Sequence, residues 1–165
     1  LEEGQALAID NPVLKSEFYS LIGDVYHNLD NHPMSDESYS LALEYNNNNT
    51  FVLNNYSYYL ALRGDSLSLA LEMITRCNEL TKDMPSASFL DTYAWVLYKL
   101  GKYKLAQTQI ERALDLNSKS GTLYDHYGDI LYSLGDFKMA VIQWKKALVL
   151  DSGNQDLKDK IQKHE

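Results

Sequence analysis

The chain has 165 residues, of which 45% are hydrophobic and 23% are charged, and its formal net charge is −8. This composition is typical of a folded globular protein, and the length suffices for one domain or a short array of repeats. The acidic excess lies in residues 1–49, which hold nine acidic residues and one basic residue, Lys15, so nucleic acid is excluded as an expected partner.

Residues 1–15 are the first predicted element. The apolar stretch Ala6-Leu7-Ala8-Ile9, which precedes Pro12, is typical of the last turns of a helix. We interpret residues 1–15 as the end of a helix from a preceding repeat. We therefore expect the chain to be a segment of a longer protein whose targeting signal lies outside it, and the compartment stays open between the cytoplasm and a bacterial (periplasmic) envelope.

Residues 16–49 and 50–86 each predict a pair of helices. In the second segment Leu53, Tyr56 and Leu60 recur at spacings of three and four residues, which places them on one helical face. Gly64 follows this run and suits the left-handed conformation that ends a helix. Residues 16–49 lack such a glycine and carry Asp30-Asn31-His32-Pro33 at the corresponding turn.

Residues 87–120 and 121–154 align over 34 residues without a gap. This internal similarity is the strongest signal in the sequence, because periods of 20 to 50 residues indicate repeat architectures. The matched positions are Tyr93 with Tyr127, Leu97-Tyr98 with Leu131-Tyr132, Leu100-Gly101 with Leu134-Gly135, Ala106 with Ala140, and Ala113-Leu114 with Ala147-Leu148.

Residues 155–165 form the last predicted element. They are polar except for Leu157 and Ile161, which lie four residues apart and so share one face of a helix. A solenoid needs such a helix, because its final repeat must present a polar outer surface. We therefore predict a C-terminal capping helix.

The 34-residue period resembles the tetratricopeptide repeat family. The family's consensus positions are filled in residues 87–120 by Leu90, Tyr93, Ala94, Leu97, Ala106, Ile110 and Ala113, and in residues 121–154 by Tyr124, Tyr127, Gly128, Leu131, Ala140, Trp144 and Ala147. The resemblance implies an all-α fold, an α-solenoid of antiparallel helix-turn-helix repeats wound as a right-handed superhelix. The proline usual near the end of the repeat is replaced by Asn47, Ser118 and Ser152.

A finer resemblance lies in three sequence blocks. VLNNYSYYLALRG, LDTYAWVLYKLGKY and DHYGDILYSLGD are similar to blocks in large multi-repeat proteins of Gram-negative, particularly bacteroidete, bacteria. This resemblance implies a bacterial origin.

Signatures of catalysis, cofactor binding and metal binding are missing from the sequence. His27, His32, His126 and His164 form no HxxxH pair, and no GxSxG, HExxH or glycine-rich phosphate loop occurs. Cys77 aligns with Ala113 and Ala147, so we expect it to fill a small packing position. We predict that the protein is not an enzyme and binds no cofactor.

The resemblance implies that the first helix of each repeat lines a concave groove. The predicted partner-binding residues of this groove are Asp24, His27, Asn54, Tyr58, Asp91, Trp95, Tyr98, Lys99, Asp125, Asp129 and Tyr132. Amphipathic aromatic side chains are common hot spots of interfaces, so the four aromatic residues are the expected anchors. Packing against adjacent repeats is the alternative role for these aromatic side chains.

The groove composition predicts the kind of partner. Lys99 is the single basic residue in the set, so an acidic, aromatic groove favours a neutral or basic peptide segment or protein over a C-terminal carboxylate. The alternatives are a structural spacer, a self-association module, or a regulatory segment of a larger multidomain protein. No apolar run reaches the roughly 18 residues of a membrane-spanning helix, so we expect no membrane insertion.

Overall fold

The computed structural model describes residues 11–164, and in this range the chain forms helices joined by short turns. The helices are α1 (Pro12–Asn28), α2 (His32–Tyr45), α3 (Thr50–Arg63), α4 (Leu67–Leu80), α5 (Ala87–Lys99), α6 (Tyr103–Leu116), α7 (Gly121–Ser133), α8 (Phe137–Leu150) and α9 (Gln155–His164). The predicted all-α architecture of successive helix pairs is confirmed.

The same hydrogen-bonded turn joins the two helices of each pair. After α5, Gly101 has a φ of 71° and its amide donates to the carbonyl of Tyr98 at 2.9 Å, while Lys102 donates to Leu97 at 2.9 Å. These paired bonds satisfy carbonyls at the helix end, and the left-handed residue favours glycine. In the first turn, Asp30 takes this place with a φ of 55°, which Asp tolerates better than most residues.

The start of α1 differs from the sequence-based assignment. Residues 12–15, which we assigned to a preceding helix, form the first turn of α1. The Asn11 side chain accepts from the amides of Val13 at 3.0 Å and Leu14 at 3.2 Å. An Asn cap followed by proline is a strong helix start, and here it outweighs the apolar stretch before it. The rest of that predicted element, residues 1–10, lies outside the described residues.

Neighbouring pairs share a continuous core. Each second helix packs against its own partner and the next first helix, and the first helices also touch one another, α3 with α5 and α5 with α7. Ala94, Ala106 and Ala113 are fully buried and allow the close approach of these helices. Successive second helices make fewer contacts with one another than these three first helices do, so α3, α5 and α7 form the inner side of the array.

Helix α9 covers the end of the array. Leu157 and Ile161 are buried in a cluster with Trp144 and Ala147 of α8, whereas the other side chains of α9 are polar. Within residues 11–164, no helix combines the length and apolar character required to cross a bilayer.

Candidate partner-binding groove

The predicted groove residues all lie on the first helices α1, α3, α5 and α7. Asn54 is buried, Lys99 is exposed, and the other nine are half-buried. The structure brings Trp95, Tyr98 and Lys99 of α5 into direct contact, and Asp91 pairs with His126 of α7. The groove residues of α7 are linked through the capping helix. The residues of α1 form a separate cluster.

An aromatic stack centred on Trp95 occupies the middle of the groove. Its ring lies 4.9 Å from that of Tyr98 and 4.2 Å from that of His126, both nearly parallel to it. The Lys99 ammonium lies 5.5 Å from the Trp95 ring. Trp95 also packs against the core cluster that joins α2, α3, α4 and α5, so the packing role is present, and its role as a partner anchor stays a prediction.

His126 links this stack to a carboxylate. Its Nδ1 lies 2.7 Å from Asp91, and both side chains are largely buried. Burial alone would lower the pKa of His126, but the hydrogen bond and charge of Asp91, with Asp125 and Asp129 nearby, raise it above 6.5. His126 therefore belongs to the candidate site, although no spacing rule in the sequence selected it.

Asp125 and Asp129 share one cation from the capping helix. Lys160 donates to Asp125 and to Asp129, both at 2.7 Å. Asp129 also accepts from the Trp144 indole nitrogen at 3.0 Å. Burial raises the pKa of Asp129 while Lys160 opposes this shift, and the two carboxylates raise the pKa of Lys160 against its own burial.

Asp24 and His27 form the separate cluster on α1. Asp24 accepts hydrogen bonds from the hydroxyls of Tyr39 and of Tyr59, the latter at 3.2 Å. The His27 ring stacks on Tyr59 with centroids 3.5 Å apart. Burial, and then the charges of His32 and Arg63, lowers the pKa of His27.

The remaining aromatic residues differ in their surroundings. Tyr58 is half-buried with its ring centroid 6.0 Å from that of Tyr59, whereas Tyr132 packs against Phe137, Trp144 and His164. Trp95, Tyr98 and Tyr132 each pack against a core cluster, whereas Tyr58 does not. Burial raises the pKa of Tyr58, and the charge of Asp91 adds to this shift.

The internal pairing of the acids makes the groove less acidic than the sequence suggests. Two of the partners, His126 and Lys160, lie 35 residues after Asp91 and Asp125 respectively. An Asp on one first helix followed by a basic residue one repeat later is therefore the sequence signal that would have identified them. Asp24 is different, because its hydrogen-bond partners within residues 11–164 are the uncharged hydroxyls of Tyr39 and Tyr59.

In the α1 cluster, the buried Nδ1 of His27 has no partner within residues 11–164. On α3 and α5 the same holds for two buried polar atoms of groove residues, the side-chain oxygen of Asn54 and the indole nitrogen of Trp95. One is an acceptor and the other is a donor. In the same range, no three His, Cys, Asp or Glu residues cluster as a metal site would require.

Chains of similar architecture include proteins of several kinds. The type IV pilus biogenesis factor PilW superposes with a TM-score of 0.83 at 17% identity, over 99% of this chain and 74% of PilW. MamA gives 0.71 at 19% identity, over 91% and 80%. The first tetratricopeptide domain of Spaghetti (RPAP3), bound to the HSP90 peptide SRMEEVD, gives 0.62 at 17% identity, over 70% and 89%. No curated protein matches the sequence.

The stacked helix pairs define the chain as a helical-repeat solenoid. The family model described as the tetratricopeptide repeat matches residues 16–49 and 87–120. These two segments are therefore tetratricopeptide repeats, and repeats of this kind support a role as a protein–protein interaction scaffold.

Proposed function

We propose that the chain binds a peptide segment of a partner protein along α3, α5 and α7. The observation that carries this proposal is the Tyr98–Trp95–His126 stack with Lys99 beside it and Tyr58 on the neighbouring helix. Rigid, half-exposed aromatic side chains supply contact area at a low entropy cost and are frequent interface anchors. The peptide-bound Spaghetti (RPAP3) domain supports the idea that this fold can hold a peptide.

The unpartnered polar atoms support a role for the peptide backbone. A backbone amide could pair with Asn54, and a backbone carbonyl with Trp95, after small side-chain movements. Such pairing would remove the free-energy cost of leaving two buried polar atoms without partners.

The charges favour a neutral or basic segment with apolar anchors. Asp24 has no basic partner among its hydrogen bonds, and Asp125 and Asp129 share the single cation Lys160. An acidic segment would add negative charge beside these carboxylates. The preference is weaker than the sequence predicts, since His126 and Lys160 offset part of the charge.

A peptide-display selection against the chain tests this proposal. Enriched peptides would be synthesised and titrated by fluorescence anisotropy against the original chain and two variants. Tyr58→Ala is the groove variant, because truncating Trp95 would also disturb the core. Val149→Ala is the control, since Val149 is 82% exposed on α8 outside the groove.

The proposal expects neutral or basic peptides with aromatic or aliphatic anchors. It also expects Tyr58→Ala to weaken binding about tenfold or more, while Val149→Ala leaves it unchanged. Enrichment of acidic peptides would contradict the charge preference. Equal binding by both variants would place the site outside the groove.

A further inference from the structure

An exposed apolar stripe runs along the face of α1 that no described helix covers. Leu14, Leu21, Val25 and Leu29 at the C-terminal cap are between 46% and 68% exposed, and Phe18 lies among them. A hollow of about 350 Å³ opens on this face and is lined by Phe18, Leu21, Ile22, Val25 and Tyr26. Contiguous exposed apolar surface of this kind marks an interaction site.

The equivalent faces of later repeats are buried by helices. In the 34-residue register, Phe18 corresponds to Phe89 of α5, and Val25 to Val96 of α5 and Ile130 of α7. Phe89 and Val96 are buried against the preceding helix pair, α3 and α4, and Ile130 against α5 and α6. The α1 face thus has the chemistry of a surface that packs against another helix.

We propose that this face pairs with the α1 face of a second copy of the chain, antiparallel and across a twofold axis. The stripe is symmetric about a point between Leu21 and Ile22. An antiparallel copy therefore sets Leu14 opposite Leu29, Phe18 opposite Val25, and Leu21 opposite Ile22. Self-complementarity of this kind is what a twofold interface requires.

The other end of the array argues against head-to-tail stacking. Helix α9 directs Leu157 and Ile161 into the core and exposes Lys158, Asp159, Gln162 and Lys163. Such a polar surface offers no counterpart to the α1 stripe. Twofold pairing of two α1 faces covers both apolar stripes at once.

The size of the face sets the expected affinity. A helix of 17 residues is about 25 Å long. One helix from each copy buries less area than a standard stable interface, so we expect a dissociation constant on the order of 10 µM. Glu17 and Asp24 flank the same edge of the stripe, and the antiparallel pairing brings Glu17 of one copy near Asp24 of the other. The dimer should therefore tighten as salt screens these like charges.

Sedimentation equilibrium between about 1 and 200 µM tests the association, a range that brackets the expected constant. We expect a monomer–dimer equilibrium that Val25→Glu weakens roughly 30-fold or more, because dimerisation would bury the introduced charge. Val149→Glu is the control, since Val149 is exposed on α8. Far-ultraviolet circular dichroism checks that both variants stay folded.

Disulfide formation tests the geometry. Cys77 is the only cysteine and is fully buried, so an engineered cysteine supplies the reactive thiol. Leu21→Cys lies beside the twofold axis and should oxidise to a linked dimer. Leu29→Cys should not, because its copy lies about 22 Å away along the helix axis. A mixture of Leu14→Cys and Leu29→Cys should give the mixed dimer.

Three results would overturn the proposal. The first is a monomer at every concentration, which would mean that a partner of another kind or residues 1–10 of the same chain cover the face. The second is a dimer that Val25→Glu leaves intact. The third is Leu29→Cys alone linking as readily as Leu21→Cys.

Discussion

The indole nitrogen of Trp144 donates a 3.0 Å hydrogen bond to Asp129, which lies 15 residues earlier in the same repeat. The ring occupies the space above Gly128, where a Cβ atom would lie 2.3 Å from it. The first repeat has the same arrangement, with Tyr39 above Gly23 and bonded to Asp24. In both repeats a glycine followed directly by an aspartate holds a large aromatic side chain in the core: the glycine leaves room for the ring, and the aspartate accepts its hydrogen bond.

Gly128→Ala should destabilise the protein. Alanine in a helix interior normally stabilises relative to glycine by about 0.5–1 kcal/mol. Here the new Cβ would meet Trp144 at 2.3 Å, and the overpacking should outweigh the gain, giving a net loss of roughly 1–3 kcal/mol. Urea unfolding of both proteins measures the difference.

The sister repeat supplies the compensating variant. Ala94 and Ile110 occupy the positions of Gly128 and Trp144 in residues 87–120. Trp144→Ile alone should be destabilising, but combining it with Gly128→Ala should cost less than the sum of the two single changes. Strict additivity would mean that the contact between these two residues does not limit stability.

Lys160→Met should lower the free energy of unfolding at pH 7. The change leaves Asp125 and Asp129 without their shared cation, and the loss should be about 1–3 kcal/mol. Since the pKa of Asp129 is already raised, acidification should protonate it and relieve the repulsion. Thermal melts at pH 7 and pH 4.5 should therefore show a smaller deficit at the lower pH.

Lys158→Met is the matched control for this prediction. Lys158 is exposed on the same helix and forms no ion pair with these two carboxylates in the described structure. It should change stability little at either pH. A Lys160→Met deficit that is the same at both pH values would show that the loss comes from packing.

His27 should titrate below pH 6.5. Burial and the nearby His32 and Arg63 lower its pKa in the folded state. Its contribution to stability is thus fully present above pH 6.5 and is lost as the pH falls through the folded-state pKa. Imidazole nuclear magnetic resonance spectra between pH 4 and 8, assigned with His27→Gln, measure this pKa. A midpoint above 6.5 would contradict the dominance of burial and of the positive charges of His32 and Arg63.

His126 should titrate in the opposite sense. Burial lowers the pKa of His126, but Asp91 raises it by more than burial lowers it, so the folded-state pKa lies above 6.5. The contribution of His126 to the stability of the folded state is present in full below pH 6.5 and is lost as the pH rises through the folded-state pKa. The same spectra should show this shift in the original chain and its loss in Asp91→Asn, because the amide carries no charge.

The all-α repeat architecture could be predicted from the sequence. The 34-residue period, the apolar spacing and the helix-ending Gly101 and Gly135 are local or repetitive signals that need no knowledge of contacts. The start of α1 could not be fixed in the same way. The capping signal of Asn11-Pro12 competed there with the apolar stretch Ala6-Leu7-Ala8-Ile9, and the sequence alone did not decide between them.

The pairing of the charged side chains in the groove depended on the tertiary structure. Sequence position places Asp91, Asp125 and Asp129 on the inner helices, where they remain predicted binding residues. The 35-residue spacing offers His126 and Lys160 as candidate partners, but only the packed structure shows that these two side chains reach the carboxylates. Periodicity fixes which face of a helix a side chain occupies. The partner of a charged group depends on side-chain conformation and on the distance between helices, and only packing sets these. Thus the sequence by itself determined an array of helix-turn-helix repeats with aromatic and acidic positions on the first helices. The fold decided which of those charges have a partner among residues 11–164.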